Sequence, residues 1–467
     1  MDKQLKKGMV IVFVTNVINL IFNLLINFLM PKYLSVNNYA IIKTFQLYSA
    51  YVGLLHFGYV DAVYLKYGGK NIAQEIDGDF SENLSTMRIF QMIVSIIFIM
   101  ISIYMQDILL ILFSLTILPV NMANYFKFLY QATGEFRIYG KIMNMSTFLL
   151  FFINMFWIIF FRNVNAIFII VSYVFIYYLI NIILEFQFYM TYRVSKPLKF
   201  FSIRELVISV KKGIYLTVGN LASLFLSTMD RWFVKIFLNV IDFAHYSFAV
   251  SVQGFLNVAI TPITTTLYNY FCKEKESHKI IYIYNLVTLF GVLLCSSVFI
   301  IKFILELYLV KYKKALIVIV LLFSSQMFNV VINGVFVNLY KAQSKQKIYF
   351  IKLVFILTVA TILNFVFYYF YPYKESFAFA TLVSTILWFL ISIKDFPCIY
   401  EQKKSMLFLF VELFLLIFLA LKFFSIIGFI LYIVTSVIVM ILIMPDIVNE
   451  ILTKLKLQIK LLKGVRS

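Results

Sequence analysis

Charge is what this chain has least of. Only 13% of its residues are Asp, Glu, Lys or Arg, against 63% that are hydrophobic. A soluble domain cannot cover its surface with so few charges. Long polar stretches are missing too, so no gap between hydrophobic runs could hold a sizeable soluble domain. There are three cysteines, Cys272, Cys295 and Cys398, and none forms a C-x-x-C pair. An odd, scattered set argues against a disulfide framework or a zinc site. His56, His245 and His278 are too dispersed to share a metal. Neither a P-loop, nor an ATP-binding cassette segment, nor a nucleophile–base set is present. The expectation is therefore no catalytic residue, no metal, no cofactor and no nucleotide hydrolysis.

What the chain has instead is hydrophobic runs. A spanning helix needs roughly 20 consecutive apolar residues. About fourteen segments qualify: 9–30, 39–61, 86–105, 108–130, 140–161, 165–190, 213–236, 243–270, 280–304, 313–339, 347–370, 375–393, 405–421 and 425–444. The first follows Lys3, Lys6 and Lys7 but lacks a small-residue cleavage pattern, so it reads as a retained helix rather than a signal peptide. The predicted class is an all-α, multi-pass integral membrane protein of about 14 transmembrane helices.

The net charge of +20 follows the positive-inside rule rather than a nucleic-acid footprint. With the N-terminus inside, most of the 41 Lys and Arg fall in inside gaps. The richest are Arg193–Lys212, Lys341–Lys352 and Lys454–Arg466. One outside gap breaks the pattern: Lys302, Lys311, Lys313 and Lys314 lie there. Fourteen helices place both termini in the cytoplasm.

The first segment carries Asn16, Asn19, Asn23 and Asn27 at i, i+3, i+7 and i+11, one face of a helix. The same spacing recurs 204 residues later as Asn220, Ser223, Ser227 and Arg231. Such a face is costly against lipid and fits a wet central path. Lys6-Lys7-Gly8 recurs as Lys211-Lys212-Gly213, and Tyr39 and Gln46 match Tyr246 and Gln253 at offset 207. Tyr130, Ala132, Arg137, Ile138 and Tyr139 match Tyr340, Ala342, Lys347, Ile348 and Tyr349 at offset 210, as Asn154 matches Asn364. These matches predict a parallel repeat of two six-helix bundles. The predicted organisation is bundles over 1–192 and 213–393, a cytoplasmic linker over 193–212, a loop over 394–404, two extra helices over 405–444 and a basic tail over 445–467.

The second segment of each half adds further polar positions, Gln46 in one, Gln253 and Asn257 in the other. Together these side chains suit a hydroxyl-rich ligand; interhelical hydrogen bonding is the plainer use. Arg231, with Lys235 one turn on and Lys43 in the second segment, could hold a phosphate; snorkelling to headgroups is the alternative. Asp230 points about 100° away from that face and would neutralise a neighbouring helix. Asp61, Glu185, Lys352 and Glu412 sit near expected helix ends, where solvation at the interface is the simpler expectation.

Short motifs carry a resemblance. Lys6-Lys7-Gly8, Pro31-Lys-Tyr-Leu-Ser35 with Asn38-Tyr39, and Leu54-Leu-His-Phe-Gly58 resemble the opening of bacterial polysaccharide flippases. Met229-Asp-Arg-Trp232 and Ala244-His-Tyr246 are similar to their seventh and eighth helices. These flippases belong to the multidrug/oligosaccharidyl-lipid/polysaccharide exporter superfamily. The resemblance implies two bundles in a V around a cavity that opens alternately to each side. It implies a cargo of O-antigen or capsule repeat units on undecaprenyl pyrophosphate, and a bacterial cytoplasmic-membrane location. A polysaccharide polymerase and a chain-length regulator are implied partners, beside membrane lipids and no nucleic acid. The cationic cavity of that family maps onto Arg231, then Lys235 and Lys43. The first segment has asparagines and no arginine, unlike the lipid II flippases. A lipid II or multidrug exporter of the superfamily is the near alternative. An O-antigen polymerase would need a long outward loop, which is absent, and a major-facilitator signature fails at Asp61-Ala62-Val63.

Overall fold

The computed structural model describes residues 3–68, 70, 72, 78–161, 165–192, 201–450 and 453. Residues 193–200 of the expected linker over 193–212 lie outside the described residues, as do 451, 452 and 454–467 of the basic tail and the side chain of Asn16. A segment without access to water must satisfy its own backbone, and among the described residues every regular element is a helix. In chain order the first eight are α1 (Lys3–Tyr33), α2 (Val36–Ser49), α3 (Tyr59–Tyr67), α4 (Gly78–Tyr104), α5 (Ile108–Ala132), α6 (Phe136–Phe160), α7 (Ala166–Tyr192) and α8 (Ile203–Phe237). Then come α9 (Val240–Gln253), α10 (Leu256–Lys273), α11 (Ser277–Cys295), α12 (Val298–Leu307), α13 (Leu316–Val331), α14 (Val337–Ala342), α15 (Gln346–Phe370) and α16 (Lys374–Ile393). The last are α17 (Pro397–Tyr400), α18 (Lys403–Lys422) and α19 (Ser425–Ile443).

Ten of the described helical segments are long and apolar enough to cross a membrane, or eleven if α9 and α10, bent by 42°, form one span. The expected count of fourteen is therefore not matched by these criteria. The three segments that fall short are the first, second and seventh. The first keeps only the shorter apolar stretch Val17–Tyr33. The second breaks into α2, a 3-10 turn over Val52–Leu54, and α3. The seventh is absorbed in the 35-residue α8. All three carry the polar positions singled out above, and those residues dilute the apolar content that defines a span.

The chain divides into two compact units between Thr228 and Met229, inside α8. In the first, α4 packs on α5, α1 on α6, and α5 on α7. Its core is strongly aromatic, with Tyr59, Tyr67, Phe80, Tyr125, Phe126 and Phe188 all buried. In the second, α13 is central and packs on α9, α11, α16 and α18. A π-helical turn at Ile332–Phe336 links α13 to α14.

The repeat is written into the backbone. The turn after α5 has Gly134 at φ 81°, and the turn after α14 has Ser344 at φ 56°. In both turns the N–H two residues beyond the cap bonds back to a tyrosine carbonyl: Glu135 to Tyr130 at 2.9 Å, and Lys345 to Tyr340 at 2.8 Å. Such a left-handed closure is a common helix C-terminus. Asn154 and Asn364 are both buried, and each bonds the carbonyl four residues back, at 2.6 and 2.8 Å. Helices α2 and α9 are each 14 residues long. Ser35 caps one through the Asn38 N–H and Asn239 caps the other through the Asp242 N–H. The two caps stand 204 residues apart, the spacing of the polar face on α1 and α8.

Candidate functional site

Helix α1 presents three asparagines of the expected face in different settings. Asn23 is exposed and Asn27 half-buried, while Asn19 is buried with its Oδ1 unpartnered. The Asn27 amide donates to the Asn23 carbonyl at 2.9 Å. Its Oδ1 accepts from the Lys43 ammonium at 3.1 Å, and Lys43 also donates to Gln46 Oε1 at 3.0 Å. Lys43 lies 5.2 Å from the centre of the Tyr39 ring. Three predicted residues, Asn27, Lys43 and Gln46, are thus joined in one cluster between α1 and α2.

On α8, Asn220, Ser223 and Ser227 are exposed along one face. Ser227 donates to the Leu224 carbonyl at 2.9 Å. Arg231 continues the line and is half-buried; its Nε is buried without a hydrogen-bond partner among the described residues. Asp230, facing elsewhere, is buried and accepts from the Tyr246 hydroxyl at 2.7 Å and from the Arg231 N–H at 2.8 Å. Its partner on the neighbouring helix is the Tyr246 hydroxyl rather than a cation, and the bond ties α8 to α9. Lys235 is half-buried. Gln253 donates to the Leu322 carbonyl at 3.3 Å, which is helix-to-helix bonding, and Asn257 is exposed on α10.

The expected solvation of several charges at helix ends is overturned. Asp61 is buried and accepts from the Thr217 hydroxyl at 2.6 Å. Glu185 pairs with Arg88 at 3.0 Å, and Lys352 with Asp395 at 2.6 Å. Glu412 is fully buried and accepts from Ser436 at 2.6 Å. A charge withdrawn from water needs such partners.

Sequence reasoning missed how the start of α8 is held. Gly58, at φ 89°, touches Gly213 so closely that a Cβ on Gly213 would lie 1.8 Å from the Gly58 carbonyl oxygen. Asp61 and Thr217 lie just beyond, each on the same side of its glycine. Further toward the start of α8, Glu205 accepts from Asn83 at 2.6 Å, and Lys66 lies 3.5 Å away. Tyr125 donates to Asn83 Oδ1 at 2.8 Å. Gly58 and Gly213 both stand in the quoted motifs, so their contact was the available signal.

Among the described residues, no cluster of three metal-ligating side chains occurs. No protein family and no curated protein matches the sequence. Solved structures do. A lipid II flippase, MurJ, in its inward closed conformation, matches at TM-score 0.60 and 14% identity, over 94% of this chain and 99% of that one. The fold is that of the lipid II flippase. An inward-facing multidrug resistance transporter of the MATE family and MOP superfamily is similar at TM-score 0.49 and 11% identity, over 83% of this chain and 96% of its own. A eukaryotic MATE transporter gives 0.43 and 14%, over 81% and 91%. The chain is a multi-pass membrane protein on this fold.

Proposed function

We propose that the chain carries undecaprenyl-pyrophosphate-linked oligosaccharide repeat units from the inner to the outer leaflet of a bacterial cytoplasmic membrane. The likeness of fold to a lipid II flippase, along nearly the whole chain, is the observation that carries this reading. The two six-helix halves, 1–192 and 213–393, would rock about the cargo in alternating access. Exposed amides and hydroxyls at Asn23, Asn220, Ser223, Ser227 and Asn257 suit a sugar rich in hydroxyls. Arg231 keeps a buried Nε donor unused, which supports a role in holding phosphate. A guanidinium gives paired, charge-assisted bonds that an amide cannot. A polysaccharide polymerase and a chain-length regulator would receive the product.

Lipid II is the second reading, which draws on the same likeness of fold. The asparagines of α1, in place of cations, favour a neutral sugar face over a strongly acidic cargo. Deletion of the gene tests the class: surface polysaccharide should vanish and lipid-linked units accumulate on the cytoplasmic side. Arg231→Ala should reproduce the defect at normal protein level, and Arg231→Lys only part of it. Normal polysaccharide with arrested peptidoglycan synthesis would instead select lipid II.

A further inference from the structure

Two of the lysines that break the positive-inside pattern, Lys302 and Lys313, meet at one cavity in the second unit. Lys302, on α12, is buried at 7% exposure. Its ammonium donates to the Ala420 carbonyl at 2.8 Å and to that of Phe423. It thereby caps the C-terminal end of α18, whose last carbonyls have no helical partner. Glu306 lies one turn on, 3.9 Å from the ammonium, and accepts from Ser425 at 2.7 Å. Against this braced pair opens a cavity of about 270 Å³, lined also by Lys313 and Lys422. Both are exposed, and neither ammonium makes a hydrogen bond or ion pair among the described residues. Three lysines and one glutamate leave the lining two positive charges in excess.

Like charges brought together at a cavity repel unless something between them is negative. The C-terminal carbonyls and Glu306 are already engaged by Lys302 and Ser425, which leaves Lys313 and Lys422 uncompensated. The end of α18 and the start of α19 meet at Phe424, which is 76% exposed, and Ile426 and Ile427 continue an exposed apolar surface along α19. A cationic cavity beside an apolar helix face matches a phosphate group with acyl chains attached. We propose that this pocket binds the phosphate of an anionic phospholipid, on the expected outer side, independently of the transport cargo.

The test uses the full chain in nanodiscs of phosphatidylcholine, titrated with phosphatidylglycerol and followed by native mass spectrometry and thermal midpoint. Lys313→Gln with Lys422→Gln changes two exposed side chains and leaves Lys302 in place. Retained phosphatidylglycerol should weaken by on the order of tenfold, the scale of a lost charge-assisted contact. Lys273→Gln with Lys275→Gln, at exposed positions at the end of α10 and just beyond it, is the control for general surface charge and should bind as the parent does. Equal binding by parent and double variant overturns the proposal, as does equal weakening in the control. Inorganic phosphate is the second arm: a stabilising shift with it, but none with phosphatidylglycerol, overturns the lipid and makes free phosphate the ligand. No shift with either removes the site.

Discussion

Lys352 shows how a charge persists in a chain this apolar. Its ammonium meets Asp395 at 2.6 Å and the Ile391 carbonyl at 2.7 Å, and Tyr340 donates to the same carboxylate at 2.6 Å. Both partners are largely buried, so removing one strands the other. Lys352→Met should therefore cost about 3 kcal/mol, read as a fall in the thermal midpoint, and adding Asp395→Asn should recover most of it. Equal loss in the single and double variants would show that a stranded Asp395 carboxylate is not what the substitution costs. The polar face of α1 and α8 gives a second residue-scale prediction. Asn23, Ser223 and Ser227 are exposed, but so are the apolar Ile21 and Leu25, at 49% and 42%. Exposure alone does not separate water from lipid; reactivity does. Single cysteines at Asn23, Ser223 and Ser227 should react with a water-soluble methanethiosulfonate reagent, and those at Ile21 and Leu25 should not. Uniform labelling would remove the wet face.

Helix ends carry the repeat at the element scale. Gly134 and Ser344 occupy the same left-handed position of equivalent turns. A side chain there costs about 1 kcal/mol, which glycine avoids. Ser344→Gly should stabilise the protein and Gly134→Ser should destabilise it, by similar amounts in thermal unfolding; shifts of the same sign would break the equivalence. The start of α8 makes a harsher demand. At Gly213 any Cβ collides with backbone rather than with a flexible side chain, and overpacking of this kind commonly costs 1–3 kcal/mol or more. Gly213→Val should detach the start of α8 and with it the Asp61–Thr217 bond, giving lower stability and lost transport together. A fully active, equally stable Gly213→Val protein would show that this contact is dispensable.

For the whole molecule, the proposed arrangement puts both termini and the 193–212 connection in the cytoplasm. Reporter fusions after Ser467 and within that connection should both read cytoplasmic, and a periplasmic signal from either would invert or break the alternation. The two compact units part inside α8 at Thr228, some distance beyond the connection the repeat predicts. The first part of α8 is held by Asp61, Asn83 and the Gly58 turn, all of them contacts from the first unit. Helix continuity is a local property, whereas membership of a unit follows contacts.

The sequence by itself determined the helical class, the passage through a membrane and the duplication. All of these rest on spacing along one chain: a period of 3.6 residues, a run of apolar side chains, or a repeated motif. The same logic explains why fewer than fourteen of the described segments are apolar enough to count as spans. A polar stripe makes a helix less apolar without making it less helical, so segments one, two and seven carry a weaker signal for crossing than for folding. Tertiary structure alone decided the partners. Glu185 finds Arg88, Lys352 finds Asp395, Asp61 finds Thr217, and Lys302 caps α18. Any of the 41 basic residues could have served any of the 21 acidic ones on charge alone. Only packing brings two particular side chains within hydrogen-bond distance, and burial then makes the pairing obligatory, because an unmatched charge away from water is too costly to keep.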